Sequence, residues 1–472
     1  MADGRQPGTV NALTRLFRPG QESRAGHEIR ARHEFRGMRT VEHYFTVPLD
    51  HAARTASSVL SGAVPSPAPE TITVFAREYV SAAHSEEKAQ DLPWLLFLQG
   101  GPGGRGNRFG SLAGGWSKAA AKDFRILMLD QRGTGLSTPV DRNTLPLRGS
   151  AEDQAAYLAH FRADSIVADA ELIRKTLGSP PWSVYGQSYG GFCALTYLSF
   201  APEGLREVLI TGGLAPLTGL ADDVYRATYQ SVAARNAEYF NWYPEDRATV
   251  ERIARHLRST REFLPDGGTL TVERFQMAGA FLGGNTRVDS LHYLLEDAFT
   301  ETAAGTRLSD PFLEQMQGIV SRRSNPLYAL MHESIYGQGQ ATDWSAWRVL
   351  GEYPEFRPDA EPLLLTGEMV YPWYFEQDPA LQPLREVAGL LASKQDWKPL
   401  YDVKQLAANR VPVAAAVYSD DIYVDRKLSL ETAAAVQGLQ VWETGDFHHD
   451  GIADDGEGIF ARLLGMARSG RR

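Results

Sequence analysis

The run Trp182-Ser183-Val184-Tyr185 favours a strand, and Phe192-Cys193-Ala194-Leu195-Thr196-Tyr197-Leu198 favours a helix. Between them stand only Gly186-Gln187-Ser188-Tyr189-Gly190-Gly191. A strand that must become a helix within so few residues needs a sharp, strained turn, and small residues beside the serine permit the close packing such a turn demands. At the apex the Ser188 hydroxyl would stand clear of the backbone. This is the G-x-S-x-G pattern of a nucleophile elbow. A serine hydroxyl is a poor nucleophile until a base takes its proton, so the turn predicts a histidine and a carboxylate farther along the chain. The pattern also arises by chance in long chains, and its surroundings decide its meaning.

Those surroundings alternate between strands and helices. Val41–Pro48 and Thr71–Val80 alternate in polarity and read as half-exposed edge strands. Trp94–Leu98 and Phe124–Leu129 are unbroken apolar runs, as expected of central strands covered on both faces. A helix is expected over 151–177, with Ile166, Ala170, Ile173 and Leu177 facing inward and Gly178 with Pro180-Pro181 ending it. Leu205–Thr211 reads as a further strand. From about 217 to 400 helical periodicity takes over. Strand Val411–Tyr418, helix 427–436, strand Leu439–Glu443 and a helix near 457–467 then resume the alternation. The pattern predicts an α/β fold: a mostly parallel central sheet with helices on both faces, built from 37–216 and 401–472, with a mainly helical cap, 217–400, inserted. Residues 1–36 read as a flexible tail. The competing reading, an Arg-rich transit peptide, is disfavoured by Asp3, Glu22, Glu28 and Glu34, because transit peptides are poor in acids.

The net charge of −10 argues against nucleic acid as a partner. Segment 217–400 holds 26 acidic and 17 basic residues, a net of −9, so nearly all the negative excess sits in the cap. No apolar run approaches the roughly eighteen residues that span a bilayer, so no membrane association is expected. The one cysteine, Cys193, excludes an intrachain disulfide and fits a reducing, cytoplasmic setting. It should pack beneath the elbow helix, close enough to Ser188 that thiol reagents would inhibit. No Cys/His spacing suggests a metal site.

Three further features suit the elbow. Gln99-Gly100-Gly101-Pro102-Gly103-Gly104 follows the strand Trp94–Leu98, where backbone N–H groups can approach a developing oxyanion without interference from side chains. The run lacks the endings of a phosphate or dinucleotide loop. Gly101 N–H and the N–H of Tyr189, the residue after the serine, are the candidate oxyanion donors. Ser419-Asp420-Asp421 closes the 411–418 strand; Asp421, with Asp420 as the alternative, would orient an imidazole. Phe447-His448-His449-Asp450-Gly451 follows the last strand and supplies that imidazole, from either His448 or His449.

Gly100-Gly101-Pro102-Gly103, Asp130-Gln131-Arg132-Gly133-Thr134-Gly135-Leu136-Ser137 and Gly186–Gly191 together resemble the proline iminopeptidases (prolyl aminopeptidases), serine peptidases of the α/β-hydrolase superfamily. The likeness runs from about 40 to 465. It is nearest to the branch with a longer cap, on His332-Glu333-Ser334-Ile335-Tyr336, Thr366–Trp373 and Tyr418–Val424. Gln99 departs from the histidine that smaller members carry before G-G-P-G. By resemblance, Asp421 stands before a hydrophobic residue as the family's aspartate does, and His449 rather than His448 precedes the short polar residue and glycine.

The resemblance implies release of N-terminal proline from peptides, with no metal or other cofactor. It also implies that cap carboxylates hold the substrate's free imino group, which suits the acidic cap, since a protonated terminus in a partly dry site needs a countercharge. Glu296 and Glu333 are the candidates and Glu368 the reserve. Tyr336, Tyr371, Trp373 and Tyr374 are candidates to wall the proline ring. Two alternatives remain open: another capped hydrolase, either a broader aminopeptidase or an esterase, and a non-catalytic binding protein on the same scaffold.

Overall fold

The computed structural model describes residues 22–24, 26–52, 70–285, 287–303 and 305–470. Ten strands form its main sheet: β1 (Glu22–Arg24), β2 (His27–Phe35), β3 (Met38–Pro48), β4 (Thr71–Ser81), β5 (Trp94–Leu98), β6 (Arg125–Asp130), β7 (Trp182–Gln187), β8 (Leu205–Thr211), β9 (Val413–Tyr418) and β10 (Leu439–Thr444). Their order is β1-β2-β3-β4-β6-β5-β7-β8-β9-β10. The first four run antiparallel to their neighbours, and from β6 to β10 every pairing is parallel.

The apolar runs became central strands because each strand's alternate side chains enter opposite cores. Trp94, Leu96 and Leu98 join the larger core, which also packs Phe192, Leu195 and Leu198 from the elbow helix. Leu95 and Phe97 join the smaller one, with Trp116, Phe124 and Phe460. The larger core continues unbroken into Tyr225, Leu291, Phe312 and Leu365, so the inserted helical segment shares its packing with the sheet's helices.

Two expectations are corrected. Residues 22–24 and 27–35, read as tail, form β1 and β2; of the rest of that tail, 1–21 and residue 25 lie outside the described residues. The mixed charges of His27–Phe35 hid this strand, whose outer half is exposed while its backbone pairs along β3. As a result β3 and β4 are interior strands rather than edges. The helix expected over 151–177 is two, Ala151–Leu158 and Ala163–Thr176; at the break, Arg132 Nη1 donates to His160 O (2.6 Å).

The chain leaves the sheet after β8 and rejoins it at β9. Among the described residues, the interval holds helices and two small hairpins, Glu262–Phe263 with Thr269–Leu270 and Phe299–Thr302 with Gly305–Leu308. No described helix is long and apolar enough to cross a membrane.

Candidate active site

β6 and β7 flank β5, so successive crossovers leave in opposite directions and open a crevice at the carboxyl ends of β5 and β7. Open α/β sheets bind their ligands at such a switch point. The Gly-rich loop leaves β5 there, and the elbow leaves β7. Ser188 has φ 54° and ψ −125°, a strained conformation for a side-chain-bearing residue. Ser188 N–H donates to Thr211 O (3.0 Å) and Gly191 N–H to Ser188 O (2.7 Å), which pins the turn. Tyr189 opens the helix Tyr189–Phe200, so its N–H has no intrahelical acceptor. A Cβ on Gly100 would sit 3.1 Å from Ser188 Cβ, so the backbone of the Gly-rich loop passes directly beside the serine. At Gly101, φ is 135° and a Cβ would come within 2.8 Å of Gly104 N; only glycine suits this bend.

His449 Nδ1 lies 2.8 Å from Asp421 Oδ2. The other carboxylate oxygen, Oδ1, accepts from Tyr423 N–H (2.8 Å) and Val424 N–H (3.0 Å). An ionised carboxylate only accepts, so Nδ1 carries the proton and Nε2 keeps its lone pair. His448 turns elsewhere, to Asp420 O (3.0 Å), and Asp420 is exposed. The end of β8 joins the two halves of the site. Thr211 holds the Ser188 backbone, and a Cβ on Gly212 would lie 3.3 Å from His449 Nδ1 and 3.4 Å from Asp421 Oδ2. Burial lowers the His449 pKa, but the Asp421 carboxylate, with Glu368 and Asp450 beyond it, outweighs burial and leaves it above the ordinary imidazole value.

The cap carboxylates part company. Glu296 is 58% exposed and lies 3.5 Å from His292, so it pairs on the outside of its helix rather than with the groups around Ser188. Glu333 is buried, but its two oxygens accept from Ser345 N–H (3.1 Å) and Ala346 N–H (2.9 Å), at the start of the helix Ser345–Val349. It holds cap backbone. Glu368, the reserve candidate, is half-buried, within electrostatic reach of both Asp421 and His449. Burial raises its pKa and the Asp421 charge adds to that, while the His449 charge and the nearby Tyr328 hydroxyl act the other way. His332 Nε2–H donates to Glu368 O (3.2 Å) and anchors that residue's backbone; burial holds the imidazole neutral, with a pKa of about 4. Tyr336 packs edge-on to Phe192, two residues past the elbow's Gly190 (5.9 Å between rings). Tyr371 and Tyr374 are buried and Trp373 half-buried; Tyr371 stacks on Trp373.

Cys193 is not beneath the elbow helix but part of it, on its buried side; it is fully buried and burial pushes its thiol pKa up, so the expected thiol sensitivity loses its basis. The D-Q-R-G run is structural. Asp130 accepts from Gly106 N–H (3.1 Å), Leu136 N–H (2.8 Å) and Arg108. Buried Arg132 forks onto Asp169 (2.8 and 2.6 Å) and bonds Leu49 O and His160 O.

A parallel sheet with a serine elbow at its switch point and a helical insertion defines a capped α/β-hydrolase. A model of the alpha/beta hydrolase fold matches residues 93–264. A proline iminopeptidase of Aeromonas sobria is 46% identical over 92% of this chain and 97% of its own. Proline iminopeptidase aneH of Aspergillus aculeatus is 35% identical over 91% of this chain and 93% of its own. A proline iminopeptidase of Lactobacillus delbrueckii subsp. bulgaricus is 33% identical over 29% of this chain and 42% of its own. The chain belongs to the proline iminopeptidase family, and it is a hydrolase.

Proposed function

We propose that this protein is a serine exopeptidase that releases N-terminal proline from peptides in the cytoplasm. One observation carries the reading: a buried Asp421–His449 pair stands at the strained Ser188 turn, and Glu368 lies within electrostatic reach of the same imidazole. Ser188 Oγ attacks the prolyl carbonyl while His449 Nε2 takes its proton. The N–H groups of Gly101 and Tyr189 hold the resulting oxyanion. As the tetrahedral intermediate collapses, the C–N bond breaks and His449 returns the proton to the leaving amine. Water, deprotonated by His449, then cleaves the prolyl ester and frees Ser188. Asp421 fixes the imidazole tautomer throughout. Glu368 pairs with the protonated imino group, which limits the enzyme to a free N-terminus.

The test is turnover of prolyl-, alanyl- and N-acetylprolyl-arylamides side by side. The reading expects the prolyl substrate to be preferred and the acetylated one to be inert. Comparable hydrolysis of the acetylated substrate would replace it with a broader capped hydrolase.

A further inference from the structure

The cap is tied to the loop that carries His449 near residues 280–287. Three contacts fasten the short helical stretch Met277–Gly283 and described residues just after it to the segments that follow β9 and β10. Tyr423 Oη donates to Ala280 O (2.9 Å), Asn285 Nδ2 donates to Asp446 O (3.0 Å), and Arg287 Nη2 pairs with Asp450 Oδ2 (2.6 Å). Buried Arg235, from the helix Ala221–Trp242, holds the same stretch from the cap side through Leu282 O (3.0 Å) and Gly284 O (3.3 Å). Two of the fastenings on the catalytic side fall beside a residue of the site. Tyr423 is two residues from Asp421, and its ring stands edge-on to His449 at 5.0 Å. A Cβ on Gly283 would overlap that ring. Asp450 follows His449 directly, and its other oxygen accepts from Gln187 Nε2 (3.4 Å), next to Ser188.

We infer that Arg287 is a positioning residue for the reaction: it fastens the cap to the loop that carries His449 and balances the Asp450 carboxylate beside it. This rests on His449 acting as the base. The charges facing His449 are Asp421 from the end of β9, Glu368 from the cap and Asp450 from its own loop. Arg287 offsets Asp450, and Arg322 faces Glu368. The Arg287 side chain is 48% exposed and that of Asp450 23%, so the pair can be broken without unfolding the chain. Without Arg287 the uncompensated Asp450 charge holds a proton on His449 to higher pH, and the cap stretch loses one of its three fastenings.

The experiment compares kcat and KM for a prolyl-arylamide across the acid limb in wild type, Arg287→Met, Arg287→Lys and Arg287→Met/Asp450→Asn. For Arg287→Met, the midpoint of the acid limb in kcat/KM should rise by about half a pH unit, and KM should rise up to about fivefold. Arg287→Lys should restore both. The double variant should return the midpoint to its wild-type place while KM stays raised. An Arg287→Met profile that superimposes on wild type overturns the inference. So does a raised KM with an unmoved midpoint, which marks a plain structural contact. A wild-type profile with no acid limb would instead refute His449 as the base, so the two failures are distinct.

Discussion

Asp421→Asn isolates the task of the carboxylate with almost no change of shape. Oδ1 accepts two backbone N–H groups, from Tyr423 and Val424, and Oδ2 faces His449 Nδ1. An asparagine has one oxygen and one NH2. Turning the NH2 toward the two N–H groups would set donors against donors in a buried site, at a cost of about 1–3 kcal/mol for each unsatisfied group. The amide oxygen therefore stays on the backbone and the NH2 faces His449. Nδ1 must then accept, so the imidazole proton moves to Nε2, the atom required to take the serine proton. The base is present but in the wrong tautomer. Such a change is worth about 10⁴ in kcat, roughly 5.4 kcal/mol of barrier. Steady-state hydrolysis of a prolyl-arylamide measures it, with a thermal melt to show that the fold survives. More than a tenth of wild-type kcat in a folded Asp421→Asn enzyme would refute the tautomer argument.

Other outcomes follow from the same geometry. Glu368→Gln removes the charge proposed to face the imino group and should lower kcat/KM by about 30- to 1000-fold, mostly through KM, as expected for one partner of a buried charge pair; exposed Glu296→Gln should stay within about twofold, and arylamide kinetics compare the two. His449 must be neutral to accept a proton, and its pKa lies above the ordinary imidazole value, so activity should fall as pH drops through a midpoint above about 6.5; a midpoint below that, read from kcat/KM, contradicts the electrostatic assignment. Arg132→Met leaves Asp169, 1% exposed, without its buried cation. Denaturant unfolding should show a loss of about 3–5 kcal/mol.

What could be read from the sequence follows what local chemistry determines. The β5 strand is uniformly apolar because both its faces are covered, and Gly186–Gly191 can hardly be anything but a tight strand-to-helix turn; these two facts locate the sheet and Ser188. β2 was hidden because an outer strand satisfies its backbone through pairing while its side chains stay polar, which resembles a tail. The cap glutamates could not be ranked, because the sequence does not show which oxygens are already taken. Glu333 looked suitable by position, yet two backbone N–H groups occupy it; Glu368 differs only in what it faces. The Arg287–Asp450 contact joins residues 163 positions apart and has no local pattern to reveal it. Its one signal was an acidic residue directly after His449. The D-Q-R-G run, which carried much of the family resemblance, turned out to brace the loop after β6 rather than to face the reaction.

Every step of the proposed chemistry starts from Ser188 as the nucleophile. Treating the native protein with a fluorophosphonate and locating the adduct by peptide mass spectrometry tests this directly. A single adduct on the peptide containing Ser188, suppressed by a prolyl substrate and lost when His449 is replaced by alanine, is the predicted result. An adduct on another serine, or labelling that persists without His449, would contradict the account.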